Sequence, residues 1–169
     1  MKDFYHLFIT ELKDAYDDEE QIIKHLPHII ESAHSSKLKE ALKHHLEETK
    51  KQLKRLDQIG MELNENLKGS ECDAIRGILK EGSKLIHGYT GDVRDAAIIA
   101  ACQRVEHYEM ALYGILHSFA CHLKLKNVEV LICETLKEEK EADKKLTEIA
   151  EGGIFSTGVN EKAIHKKSA

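Results

Sequence analysis

The chain has 169 residues, enough for one domain with a substantial core. Hydrophobic residues make up 41% and charged residues 33%, with 5% aromatics and a single proline, a balance that suits long amphipathic helices better than sheets. A net charge of -5 argues against a nucleic-acid surface, which needs a basic footprint. No apolar run reaches the roughly 20 residues of a bilayer span, and the first residues lack a signal-peptide core, so a cytoplasmic protein with no nucleic-acid or membrane partner is expected.

In chain order, a first helix is predicted from just after Asp3 to about Ala33, with Pro27 removing one backbone bond and bending its second half. "HSS" at 34–36 breaks it. Ser36 can cap a second helix that reaches roughly Asn66, where "NENLKGS" supplies asparagine and glycine. Ser70 with Asp73 resembles a capping box opening a shorter helix that ends at His87 and Gly88. "GYTGD" is a loop. Asp92 can cap a third long helix to about Leu125, and Asn127 a fourth that Gly152 and Gly153 terminate. The expected domain is 1–153, and 154–169, ending in "EKAIHKKSA", reads as a flexible, solvated basic tail.

Short connections make helices one and two, and three and four, antiparallel hairpins. The roughly 25 residues between the hairpins can travel most of a bundle's length at about 1.5 Å per helical residue. An all-α, ferritin-like four-helix bundle with a crossover carrying a short fifth helix follows. That fifth segment, 71–87, has too many apolar residues for a free strap, including Ile78 and Leu79. It is expected to cover the bundle or an identical subunit. Cys72, Cys102, Cys121 and Cys133 show no C-x-x-C spacing and read as small, partly buried thiols.

Each long helix has an apolar seam at helical period, and polar groups interrupt every seam near its middle. Helix one carries Glu19 between Tyr16 and Ile23. Helix two carries Thr49, with His45 and Gln52 toward one flank and Glu48 at the stripe's edge. Helix three carries Glu106 and Glu109, and helix four carries Glu139 and Asp143. Midpoints share one level in an antiparallel bundle, and several carboxylates buried together cost several kcal/mol each unless something compensates. A cation is the simplest candidate. Carboxylate oxygens suit iron(II) or manganese(II), and two ions side by side can share glutamates from different helices.

The usual di-metal pattern supplies one glutamate from each of two helices and Glu-x-x-His from each of the others. Here helix two reads His45-x-x-Glu48, the reverse order, helix three offers Glu106-x-x-Glu109, and helix four has no histidine. His107 lies about 100° from Glu106 and reads as a flank residue. Glu48 is equally readable as an exposed acid pairing with Lys51, and His45 and Gln52 as hydrogen-bond partners of a buried acid. Glu109 and Asp143 are candidates for orienting ligands as well as for ligating. Tyr16, Tyr108 and Tyr113 read as core. "HLEETKKQLKRL" and "TLKEEKEADKKL" align weakly, setting Glu48 opposite Glu139 and Gln52 opposite Asp143.

The blocks "LKDAYDDEEQIIKHLP", "LKHHLEETKKQLKRL", "VEHYEMALYGIL" and "LKEEKEADKKLTEIA" resemble, in order, the YciE/YciF family of bacterial stress-associated, ferritin-like proteins. The resemblance covers about residues 5–150. It implies a rubrerythrin-like bundle and a homodimer, and by motif position it points to Glu19, the His45/Glu48/Gln52 group, Glu106/Glu109 and Glu139/Asp143. Asp18 departs from the small alanine associated with that place, and it is harmless if it faces water. The expected function is a di-iron carboxylate protein, with manganese as the other metal, that reacts with peroxide or dioxygen under stress. The rival is a non-enzymatic dimeric stress or interaction bundle whose metal site has degenerated and lost strong metal binding.

Overall fold

The computed structural model describes residues 3–153 and 156–165. Helices dominate, in the order α1 (Phe4–Ser32), α2 (Ser36–Leu63), α3 (Asp73–His87), α4 (Gly91–His122), α5 (Lys126–Glu151) and α6 (Val159–His165), with β1 (Gly152–Gly153) and β2 (Ser156–Thr157) between the last two. Among the described residues no helix is long and apolar enough to cross a membrane. The four long helices form a ring in which α1 packs on α2 and α4, and α5 packs on α2 and α4. This is the expected pair of hairpins joined by a crossover.

Local chemistry sets most of the helix ends. Asp3 accepts the His6 backbone N–H at 3.0 Å and starts α1, which runs through Pro27 without ending. Ser35, one residue before the predicted cap, accepts from Leu38 and starts α2. Asn64 adopts a left-handed conformation at φ 54° and stops α2 at Leu63 rather than Asn66. The predicted capping box at Ser70 does not form, because that hydroxyl lies against Asp14 and Asp73 pairs with Arg76, leaving Cys72 at the cap. Thr90 and Leu125 likewise hold the cap positions expected of Asp92 and Asn127.

The α1–α2 corner is tied down from across the bundle. Asp95, fully buried on α4, accepts the backbone N–H groups of His34 at 2.6 Å and Ser35 at 2.7 Å. Those donors would otherwise be unpaired where α1 ends. The strap α3 lies on α4 and α1, burying Ile75, Leu79 and Ile86, so it covers the bundle itself. Gly82 permits this approach, since a Cβ there would sit 3.0 Å from the Ala101 Cβ.

The chain beyond Gly153 is only in part the solvated tail that was expected. β2 pairs antiparallel with β1, and α6 packs on α4 and α5 with Val159 buried. Gly152 at φ 76° and Gly158 make the turn possible, because a Cβ on either would collide with backbone. Residues 154–155 and 166–169 of the expected tail lie outside the described residues.

The core consists of two apolar clusters stacked along the bundle. One contains Phe8, Leu12, Tyr16, Leu56, Leu116 and Ile132; the other contains Ile22, Leu26, Leu42, Cys102, Val105 and Leu146. Every long helix changes from one cluster to the other near its middle, and the residues at the change are polar.

Candidate metal centre

At that level α1 presents Glu19, α2 presents His45, Thr49 and Gln52, α4 presents Glu106 and Glu109, and α5 presents Thr135 and Glu139, all buried. One side-chain ligand atom each from His45, Glu106, Glu109 and Glu139 lies within 4.8 Å of the other three. His45 Nε2 is 3.3 Å from Glu106 Oε1. Glu19 approaches from α1, and its Oε1 accepts the Tyr113 hydroxyl. Gln52 donates through Nε2 to Glu139 Oε1 and, at 3.1 Å, to Glu138 Oε2. Arg55 grips both Glu138 oxygens at 2.6 and 2.7 Å, so an ion pair at the bundle's flank fixes the amide that orients Glu139.

The electrostatics are those of acids held apart from water. Burial first, and the nearby Glu139 carboxyl second, push Glu19, Glu106 and Glu109 well above the usual carboxylate range. The Tyr113 hydroxyl offsets part of the rise at Glu19. Glu139 is the shared neighbour of all three and occupies the electrostatic centre of the group. Even so, Glu19 Oε2, His45 Nδ1, Gln52 Oε1, Glu106 Oε2, Glu109 Oε1 and Glu139 Oε2 find no hydrogen-bond partner among the described residues. Buried polar atoms are ordinarily paired, so six orphans on six converging side chains are a strong departure.

Glu48 and Asp143 stand apart. Glu48 is half-buried and pairs with His44 Nδ1 at 3.0 Å rather than with Lys51. Asp143 accepts from Gln103 at 3.0 Å and lies 3.3 Å from the exposed His107, which keeps it at the rim. The phase of the helices explains the first case. The burial pattern of residues 41–50 repeats over 131–140, so the α2 position equivalent to Glu139 is Thr49. The alignment that set Glu48 opposite Glu139 is one residue out of register, which turns Glu48 by about 100° toward solvent.

Asp18 corrects a second expectation. It does not face water but is fully buried under α3, and neither of its oxygens finds a hydrogen-bond partner among the described residues. Burial pushes it up to about 7. Cys72 Sγ lies 3.3 Å from the Tyr108 hydroxyl, and its backbone N–H donates to Asp17 at 2.8 Å. All four cysteines are free, Cys72 and Cys102 buried and Cys121 and Cys133 exposed. Among the tyrosines, Tyr113 is core as expected but also anchors Glu19. Sequence reasoning missed the Arg55–Glu138 pair, whose only trace is an arginine three residues after Gln52 beside an acid preceding Glu139.

Two crossed helical hairpins with an overlying strap and an acid-filled midplane define the ferritin-like class of four-helix bundle. Residues 3–163 match the family described as Domain of unknown function (DUF892). Protein YciF of Escherichia coli strain K12 is 40% identical over 168 residues, covering 98% of both chains. The crystal structure of the Escherichia coli stress protein YciF superposes with a TM-score of 0.86 at 37% identity, covering 99% of this chain and 100% of that one. YcfI from Rhodopseudomonas palustris, whose description offers a structural role, superposes at 0.85 with 40% identity over 88% and 96% of the two chains. A Xanthomonas campestris protein, XCC3681, shares the fold at 0.68 with 20% identity, covering 86% of this chain and 89% of that one. The chain belongs to this DUF892 family, the family of the stress protein YciF.

Proposed function

We propose that the protein is a cytoplasmic, homodimeric di-metal carboxylate protein, with iron as the first choice and manganese as the second, that reacts with dioxygen or peroxide under stress. The observation that carries this reading is the set of six orphaned buried atoms on Glu19, His45, Gln52, Glu106, Glu109 and Glu139. The donors fit such ions: oxygen-rich, with one imidazole, and buried. His45, Glu106, Glu109 and Glu139 would hold a first ion, and Glu19, whose carboxyl neighbours Glu139, would help to hold a second. Glu48 and Asp143 orient neighbours at the rim, and neither is required as a ligand. When bound, such ions supply one-electron redox chemistry that no side chain here provides.

The chain's own residues do the rest. Gln52, fixed through Glu138 by Arg55, sets the angle of Glu139, and the Tyr113 hydroxyl turns one oxygen of Glu19 away and leaves the other free. The apolar clusters above and below the layer exclude water from both ends. Acids that are protonated without a cation release protons as one is bound, so affinity rises with pH.

A second reading, a dimeric stress or interaction bundle with a degenerate site, draws on the lack of a Glu-x-x-His pair in the midplane layer and on Glu48 sitting at the rim. Elemental analysis of protein purified without a chelating tag, with melting curves in the presence and absence of anaerobic iron(II), decides between them. Stoichiometric metal and a raised melting temperature are expected; metal-free protein indifferent to iron(II) ends the metal reading.

A further inference from the structure

One opening reaches the midplane and a second approaches it from another side of the bundle. Between α2 and α5 lies a cleft of about 590 Å³ whose walls include Glu40, Glu48, Glu141, Lys37 and Lys145, and which ends at His45 and Glu106. Under the strap, between α1, α3 and α4, lies a second pocket of about 380 Å³, with Ile29, Ile78, Leu79, Ala101, Cys102 and Val105 on its walls and the exposed His25, His28, Glu31 and His87 at its rim. Below its floor is a void of about 20 Å³ that shares His25, Ile29, Leu79, Cys102 and Val105 with it and is closed at its inner end by His45 and Glu106. The same imidazole and carboxyl therefore face a charged cleft on one side and an apolar shaft on the other.

The walls decide what each opening admits. A cation moving through the shaft would shed its hydration against Leu26, Leu79 and Val105, with only His25 and the Cys102 thiol to offset the cost before it met His45 and Glu106. The charged cleft gives it carboxylates along the way. Hydrogen peroxide meets the same obstacle in weaker form, since His25 and Cys102 can pair only some of its donors and acceptors in the throat. A small neutral molecule that water solvates poorly gains by entering, as apolar cavities in proteins take up xenon while staying dry. The geometry points to the pocket under α3 as a binding and access site for dioxygen, delivered to the His45–Glu106 edge of the midplane, separate from the cleft that serves cations. Of the two oxidants the sequence left open, the shaft selects dioxygen. This assignment of a role rests on the metal-centre reading; the affinity of the pocket for an apolar gas does not.

Dissolved dioxygen is paramagnetic and serves as the probe in the full-length, metal-free protein. Methyl relaxation measured by NMR with and without oxygen is expected to rise several-fold more at Ile29, Leu79 and Val105 than at Leu12 and Leu116, which are at least as deeply buried in the other cluster. Leu79→Phe, which fills the throat from α3, is expected to remove that excess. Equal enhancement at the two sets of methyls, or an excess along Leu42 and Leu146 in the charged cleft, overturns the proposal, and the wild-type comparison alone decides it if the variant fails to fold. The anaerobic iron(II) melting shift, measured in parallel on wild type and Leu79→Phe, tests the underlying reading separately. A missing shift in both sinks the metal centre while the oxygen result stands or falls by itself.

Discussion

Asp95 and the midplane acids are equally deep in the protein, yet they are held in opposite ways. Asp95 has two backbone N–H donors aimed at it, one on each oxygen, so neither oxygen is without a partner. Glu106, Glu109 and Glu139, together with Asp18, each keep at least one oxygen with no partner among the described residues. The first arrangement is what a structural carboxylate looks like, with its desolvation offset by charge-assisted bonds. The second stores unfavourable burial that only protonation or a cation relieves. Depth therefore does not mark a functional acid; unsatisfied depth does.

Four substitutions test that contrast. Asp95→Ala strands two backbone donors at the α1–α2 corner and is expected to destabilise the protein by about 4 kcal/mol in urea denaturation, whether or not metal is present. A loss under about 1 kcal/mol would mean the corner does not depend on it.

Asp18→Asn works the other way. A folded-state value of about 7, above the unfolded 3.8, means that the contribution of Asp18 to stability is whole below about pH 4 and declines as pH rises toward 7. In chelator-treated protein the variant is expected to be more stable than wild type by about 3 kcal/mol at pH 7, with the gap closing toward pH 4. A gap that does not change with pH refutes a titrating Asp18.

Glu106→Gln is expected to stabilise the metal-free protein by about 2 kcal/mol at neutral pH, because the amide needs no proton to stay neutral, and to abolish most of the melting shift given by iron(II). Destabilisation of the metal-free form would show that the acid layer is already compensated. The smallest effect belongs to Glu48→Gln, within about 0.5 kcal/mol with the metal-dependent shift retained, as its rim position and exposed His44 partner imply.

Much of this was legible in the chain. Seams at helical period found the four long rods, and sparse breakers found the hairpins and the crossover. Placing polar residues at rod midpoints was enough to bring Glu19, His45, Gln52, Glu106, Glu109 and Glu139 to one level. What escaped depended on the third dimension. Glu19 and Asp18 are neighbours about 100° apart on α1, and both are buried because a second face of α1 is covered as well, near Cys72 and Tyr108, which α1 alone does not disclose. Glu48 was lost to a one-residue phase error between two lysine-rich helices that differ in their inward residue, Thr49 against Glu139. The strands β1 and β2 are too short to have a period, and α6 shows one buried apolar residue, Val159, against a very exposed Ile164.

The split of the core into two apolar clusters has a consequence for how the molecule breathes. Every long rod crosses the polar seam once, so loosening at that height disturbs all four rods together, whereas fraying at either tip leaves it shut. Anything that exchanges with the interior on a fast timescale must do so sideways, through gaps between rods, and a motion wide enough to flood the seam amounts to opening the whole body.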